Sequence, residues 1–148
     1  MQRLTQWMII ALIALTVAAC GAPAAAPAPA ADDAAPAAAV DAPLELPADI
    51  DAKTLADIKD RSDVVVLDVR EQWEYDEQHI PGVTLIPMGE VPNRLSEIPT
   101  DKTVIVTCRS GNRSGQVTDY LRQAGYTDVH NMAGGILAWQ QAGYSVEP

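Results

Sequence analysis

Val104-Ile-Val-Thr-Cys-Arg-Ser-Gly-Asn-Arg-Ser114 is the stretch on which the reading of this chain turns. Its first three residues are apolar and β-branched, the pattern of a strand buried on both faces of a parallel sheet. The run then gives way to small and polar residues. From Ser114 a helical period begins, with Val117, Tyr120, Leu121 and Ala124 on one face. Cys108 therefore falls on a strand-to-helix loop, just ahead of a helix N-terminus, where free N–H groups and the helix dipole favour negative charge. Gly111 and its small neighbours Ser110 and Asn112 let successive N–H groups turn inward as an anion-binding nest. Arg109 and Arg113 bracket it. A thiol in this position ionises more readily than a free one. Cysteine is ordinarily a small buried hydrophobe, but two arginines and a Gly–Asn pair are poor company for an inert core thiol.

Working outward, residues 64–67 read as a second apolar strand, 83–86 as a third and 129–132 as a fifth, with a short first strand within 48–51. Asp51 is placed to cap a helix carrying Leu55 and Ile58. Residues 71–78 predict a short polar helix packed through Trp73. Val91, Leu95 and Ile98 mark another short helix, stopped by Pro99. The main helix ends at Gln123-Ala-Gly-Tyr126 and the last, over 136–142, at Gln141-Ala-Gly-Tyr144, each with Gly placed as the left-handed residue after the helix. Strands alternating with helices predict an α/β fold with a mostly parallel five-stranded sheet covered on both faces.

In such sheets ligands bind outside the carboxyl ends of the strands. Asp68 and Arg70, just after the second strand, lie on that edge, and Glu74 is the expected partner of Arg70. Residues 132–135 are expected to wall the pocket and Trp139 to lie in the core.

The first 43 residues are of another kind. A short basic start, Met1-Gln-Arg3, precedes an apolar run at 7–17, which is short for a membrane span and suited to a signal peptide. It ends in Val17-Ala-Ala-Cys20, which resembles the lipobox of bacterial lipoproteins. That resemblance implies a signal peptide over residues 1–19, a lipidated Cys20, and a chain anchored at the extracytoplasmic face of a bacterial membrane. Residues 20–43 are nearly all Ala and Pro. Repeated Pro forbids a stable helix, and nothing large is present to bury, so an extended tether is expected.

The chain carries a formal net charge of −10; from residue 44 onward there are nine basic and seventeen acidic side chains. This argues against nucleic acid and anionic lipid as partners. The cationic loop must therefore prevail over the global charge at short range, where screening confines long-range repulsion to about 8–10 Å. One cysteine in residues 44–148 excludes a disulfide there. His79 and His130 form no ligand cluster with it, so neither a metal nor a cofactor is expected.

Cys108-Arg-Ser-Gly-Asn-Arg113 with Ser114 resembles the active-site loop of the rhodanese family of sulfurtransferases. Leu67-Asp-Val-Arg-Glu71, His79-Ile-Pro-Gly82 and Gly134-Gly-Ile-Leu-Ala-Trp139 fit the same family in order and spacing. The resemblance covers residues 44–148 and implies a three-layer α/β sandwich. It also implies transfer of sulfane sulfur from thiosulfate or a related anionic donor to a thiophilic acceptor, through a persulfide on Cys108. Arg109, Ser110, Gly111, Asn112, Arg113 and Ser114 would bind substrate. Asp68 and Arg70 would support the site as an ion pair, and His79 would organise its loop through hydrogen bonds. A single acidic domain of this kind is compatible with a monomer.

Two alternatives accompany this reading. One is a membrane-tethered persulfide carrier with weak turnover. The other is a Cys-dependent phosphatase or arsenate reductase, but those enzymes place Arg after five intervening residues, where this chain has Ser114; its Arg113 comes after four.

Overall fold

The computed structural model describes residues 44–148; the expected signal peptide, Cys20 and Ala/Pro tether lie outside the described residues. In chain order the elements are β1 (Asp49–Ile50), α1 (Ala52–Ile58), β2 (Val64–Asp68), α2 (Gln72–Glu77), β3 (Thr84–Leu85), two 3-10 turns (Val91–Asn93 and Leu95–Glu97), β4 (Thr103–Thr107), α3 (Asn112–Gln123), β5 (Val129–Met132) and α4 (Gly135–Gln141). The five strands form one sheet in the order β1-β5-β4-β2-β3. Every pairing is parallel, which sharpens the expected mostly parallel sheet.

The apolar strands feed two cores, one on each face. Val64, Val66 and Ile105 pack with Leu55 and Ile58 of α1 and Ile136 and Trp139 of α4. Leu67, Val104 and Val106 pack with Val117 and Leu121 of α3 and with Val91 and Ile98 around the 3-10 turns. Side-chain alternation along a strand thus divides each apolar run between two layers of helix.

Local signals act where the sequence places them. The Asp51 carboxylate accepts the Thr54 N–H at 2.7 Å and caps α1. Residue 125 after α3 takes a positive φ of 101°. The short helix expected around 91–98 is instead two 3-10 turns. Ile98, the residue before Pro99, is extended, and Pro99 has no N–H with which to continue a helix.

Each histidine ties down remote backbone, His130 from β5 and His79 from the loop between α2 and β3. His130 Nδ1 is 2.6 Å from Pro47 O and its Nε2 2.8 Å from Asp128 Oδ1. His79 exchanges both main-chain hydrogen bonds with Glu147. No helix among the described residues is long and apolar enough to cross a membrane.

The strand order sets the position of the site. From β2 the chain moves outward to β3; from β4 it moves the other way, to β5, which lies beside the edge strand β1. The direction reverses between β2 and β4, and the crevice outside their carboxyl ends is where a ligand fits. Asp68 pairs in register with Thr107 there, so the residues after the two strands emerge side by side.

Candidate active site

Cys108 is the first residue past β4, and α3 begins four residues later. Gly111 caps α3 in the left-handed conformation, with φ 93°. A Cβ at Gly111 would stand 2.9 Å from Gly134 N. On the other side, the first free N–H groups of α4 support the loop from beneath: Ile136 N–H donates to Cys108 O at 2.8 Å and Leu137 N–H to Arg109 O at 3.2 Å. Gly135 makes this approach possible. A Cβ there would overlap the carbonyls of Cys108 and Arg109.

The Cys108 residue is 1% exposed. Its Sγ accepts the Gly111 N–H at 3.1 Å and lies 3.3 Å from Ser114 Oγ. Burial pushes the thiol up, but hydrogen bonds from the Ser114 hydroxyl and from the N–H groups of Ser114, Ser110 and Gly111 outweigh it and hold the pKa below the ordinary thiol value. The loop is therefore built for negative charge on sulfur.

Around it, Asp68 and Arg70 form a buried pair, 1% and 3% exposed. Arg70 Nη2 donates to Asp68 Oδ2 at 2.7 Å and to Gln78 O at 2.9 Å, and its Nη1 donates to Glu74 O at 3.2 Å. The expected Arg70–Glu74 carboxylate pair does not form. Arg70 is saturated by Asp68 and two carbonyls, while the Glu74 side chain tilts toward the N-terminus of α2, as helical side chains do. There its carboxylate accepts the Glu71 N–H at 3.1 Å and takes Arg113 in a two-point clasp of 2.6 and 2.8 Å. The Arg113 hydrogen bonds hold the Glu74 carboxyl down at about 2.

His79 sits farther along the same segment. Its ring stacks on Tyr75 with centroids 3.7 Å apart, and its Nδ1 is 3.0 Å from Tyr75 O.

Arg109, Ser110 and Asn112 are exposed. The Arg109 guanidinium makes no hydrogen bond or ion pair among the described residues. It borders an open cleft of about 580 Å³, with Arg113, Glu71, Glu77, Trp73 and Leu137. Trp73 is 68% exposed and is not the packing residue of α2. Tyr75 does that, partly buried against the first core, and turns Trp73 outward on a helix of six residues.

Sequence reasoning gave Glu74 the wrong arginine and missed Asn131. Glu74 follows Glu71 by three, a capping-box spacing that foretells a side chain turned back to the helix start. Asn131 is a polar residue within a buried strand. It accepts from Ser114 Oγ at 2.6 Å and donates to Asp49 Oδ1 at 2.7 Å.

Comparison with known proteins agrees with this geometry. The model of the rhodanese-like domain matches residues 51–142. A sulfurtransferase of Allochromatium vinosum is 41% identical over 99 residues, covering 66% of this chain and 92% of that protein. The thiosulfate sulfurtransferase GlpE of Pseudoalteromonas translucida is 34% identical over 91 residues, covering 62% of this chain and 86% of its own. Among solved structures, a rhodanese-related protein from Thermoplasma volcanium superposes with a TM-score of 0.62 at 32% identity, over 67% of this chain and 96% of that one. With its parallel sheet, its cysteine loop and these relatives in agreement, the chain belongs to the rhodanese-like family, and sulfur transfer is the chemistry its named relatives share.

Proposed function

We propose that this chain is a sulfurtransferase that moves sulfane sulfur from thiosulfate, or a related anionic donor, to a thiophilic acceptor by way of Cys108. The observation that carries the reading is the Sγ of Cys108, buried and hydrogen-bonded in a loop whose N–H groups lower its pKa. The Cys108 thiolate attacks the outer sulfur of thiosulfate. A sulfur–sulfur bond forms to Cys108, the bond within thiosulfate breaks, and sulfite leaves with the electron pair. The acceptor, cyanide in an assay or a thiol in the cell, then attacks the outer sulfur of the persulfide and releases the thiolate. One difficult step becomes two easier ones.

The lowered pKa is only part of the catalysis. A larger thiolate fraction is partly offset by weaker nucleophilicity, at a Brønsted slope of about 0.4–0.5. The greater contribution comes from preorganised donors that meet the developing charge on sulfite and hold the persulfide. Arg113 has its charge balanced by Glu74, so Arg109 supplies the uncompensated cation at the cleft. The acceptor enters through that cleft, against the exposed indole of Trp73. Lipidation at Cys20 holds the protein, as a monomer, at the extracytoplasmic face of a bacterial membrane.

The test is incubation of the purified chain with thiosulfate, with and without cyanide, followed by thiocyanate assay and mass spectrometry of the peptide carrying Cys108. The reading expects thiocyanate turnover and, before cyanide, a gain of about 32 Da, one sulfur, on Cys108; Cys108→Ser abolishes both. An adduct with negligible turnover would move the assignment to a sulfur carrier. Cys108-dependent hydrolysis of an aryl phosphate, without an adduct, would overturn it.

A further inference from the structure

Behind Cys108 runs a chain of polar side chains that the reaction above leaves unused. Ser114 Oγ lies 3.3 Å from Cys108 Sγ and 2.6 Å from Asn131 Oδ1. Asn131 Nδ2 donates to Asp49 Oδ1 at 2.7 Å. Asn131 and Asp49 face each other in the register of β5 and β1, so the sheet itself sets that contact. Asp49 accepts, which fixes the amide with its oxygen toward Ser114.

A hydroxyl has one hydrogen. Ser114 is fully buried, so it must choose between two acceptors. When Cys108 is a thiol, the Ser114 hydrogen goes to Asn131 Oδ1, the shorter contact, and the S–H group can donate to Ser114 Oγ. When Cys108 is a thiolate, the hydrogen must turn to Sγ and leave Asn131 without it. We infer that Asn131, oriented by Asp49, is a positioning residue that competes with the Cys108 sulfur for the Ser114 hydrogen and so sets how readily the thiol ionises. The other charges around the thiol are Arg113 of α3, clasped by Glu74 of α2, the Asp68–Arg70 pair after β2, and Arg109 beside it. None of them touches Ser114 or Asn131 through a hydrogen bond. The inference goes beyond the sulfurtransferase reading and requires only that Cys108 ionises, so its failure would leave that reading intact.

The test is the pH dependence of Cys108 alkylation by iodoacetamide, read on the Cys108 peptide of the full chain. Asn131→Ala frees the Ser114 hydrogen for sulfur. The midpoint moves down, and the thiolate fraction below it rises about three- to ten-fold, the worth of one hydrogen bond. Ser114→Ala moves the midpoint up. Asn131→Ala placed on Ser114→Ala adds nothing, because the competing hydrogen is gone.

Asp49 is exposed on an edge strand, so its variants keep the test open if Asn131→Ala fails to fold. Asp49→Ala releases the amide to turn its NH₂ toward Ser114 and lowers the midpoint as Asn131→Ala does. Asp49→Asn keeps an acceptor without the charge and leaves the midpoint in place. The inference is overturned if Asn131→Ala shifts the midpoint equally with and without Ser114. It is equally overturned if Asp49→Asn matches Asp49→Ala, or if no variant moves the midpoint.

Discussion

At the scale of the residue, the site depends on positions where a side chain is absent as much as on Cys108 itself. Gly135 has φ 55° and lies directly beneath the loop, where a Cβ would meet the carbonyls of Cys108 and Arg109. Gly135→Ala must strain its own backbone and lift the loop off the two N–H groups of α4. The expected loss is about 1–3 kcal/mol of stability by urea denaturation, together with slower alkylation of Cys108 as its N–H cradle is displaced. By contrast Gly125 has open space around a Cβ, so the cost of Gly125→Ala is confined to its positive φ. The cysteine, its loop and the helix behind it are legible in the sequence because they are consecutive and each carries a local signal. The Glu74–Arg113 clasp spans 39 residues, and Asn131 reaches Ser114 across 17. Neither contact has a local signal. Each exists only once the sheet has brought the ends of its strands together.

At the scale of the element, α2 shows how a short helix misleads a reading by residue type. An indole in a six-residue polar helix invites assignment to the core, yet Trp73 faces solvent while Tyr75 donates its hydroxyl to Val83 O at 3.1 Å and stacks on His79. Amphipathic period fails as a guide in a helix shorter than two turns, where one contact decides the face. The longer elements escape this. β2, β4 and α3 have enough residues for their periods to be unambiguous; the two strands serve both cores and α3 covers the second. Single substitutions separate the two roles. Trp73→Ala leaves stability within about 0.5 kcal/mol of the parent, as an exposed site should, whereas Tyr75→Ala costs roughly 2 kcal/mol through lost packing and an unanswered carbonyl. Chemical denaturation of the two variants side by side distinguishes them. The same Trp73→Ala protein raises the KM for a bulky thiol acceptor more than that for cyanide if the cleft admits the acceptor.

At the scale of the whole molecule, the connections after β2 and β4 leave in opposite directions at the switch point, and two ion pairs tie the segments that follow the two strands. Asp68–Arg70 staples the β2 end to the middle of α2 at Glu74 O and to its C-cap at Gln78 O. Glu74–Arg113 joins α2 to α3 across the mouth of the site. Glu74 is the titratable member whose acid response follows from geometry. Its carboxyl is held at about 2 in the fold, against an ordinary value of 4.5, first by the Arg113 hydrogen bonds. The charged form is favoured in the folded state, so the stabilisation is complete above about pH 4.5 and is lost as pH falls toward about 2. Allowing for solvent at the partly exposed Arg113, the pair contributes roughly 1–3 kcal/mol at neutral pH. Glu74→Gln should therefore be less stable than the parent at pH 7, and the gap should narrow by roughly 1–2 kcal/mol by about pH 3. Paired urea titrations at the two pH values measure that gap, and the other carboxylates, common to both proteins, cancel. A gap independent of pH would mean that Glu74 supports the site through shape alone. A gap that narrows in acid would show that the charge on Glu74, paired with Arg113, carries the stabilisation.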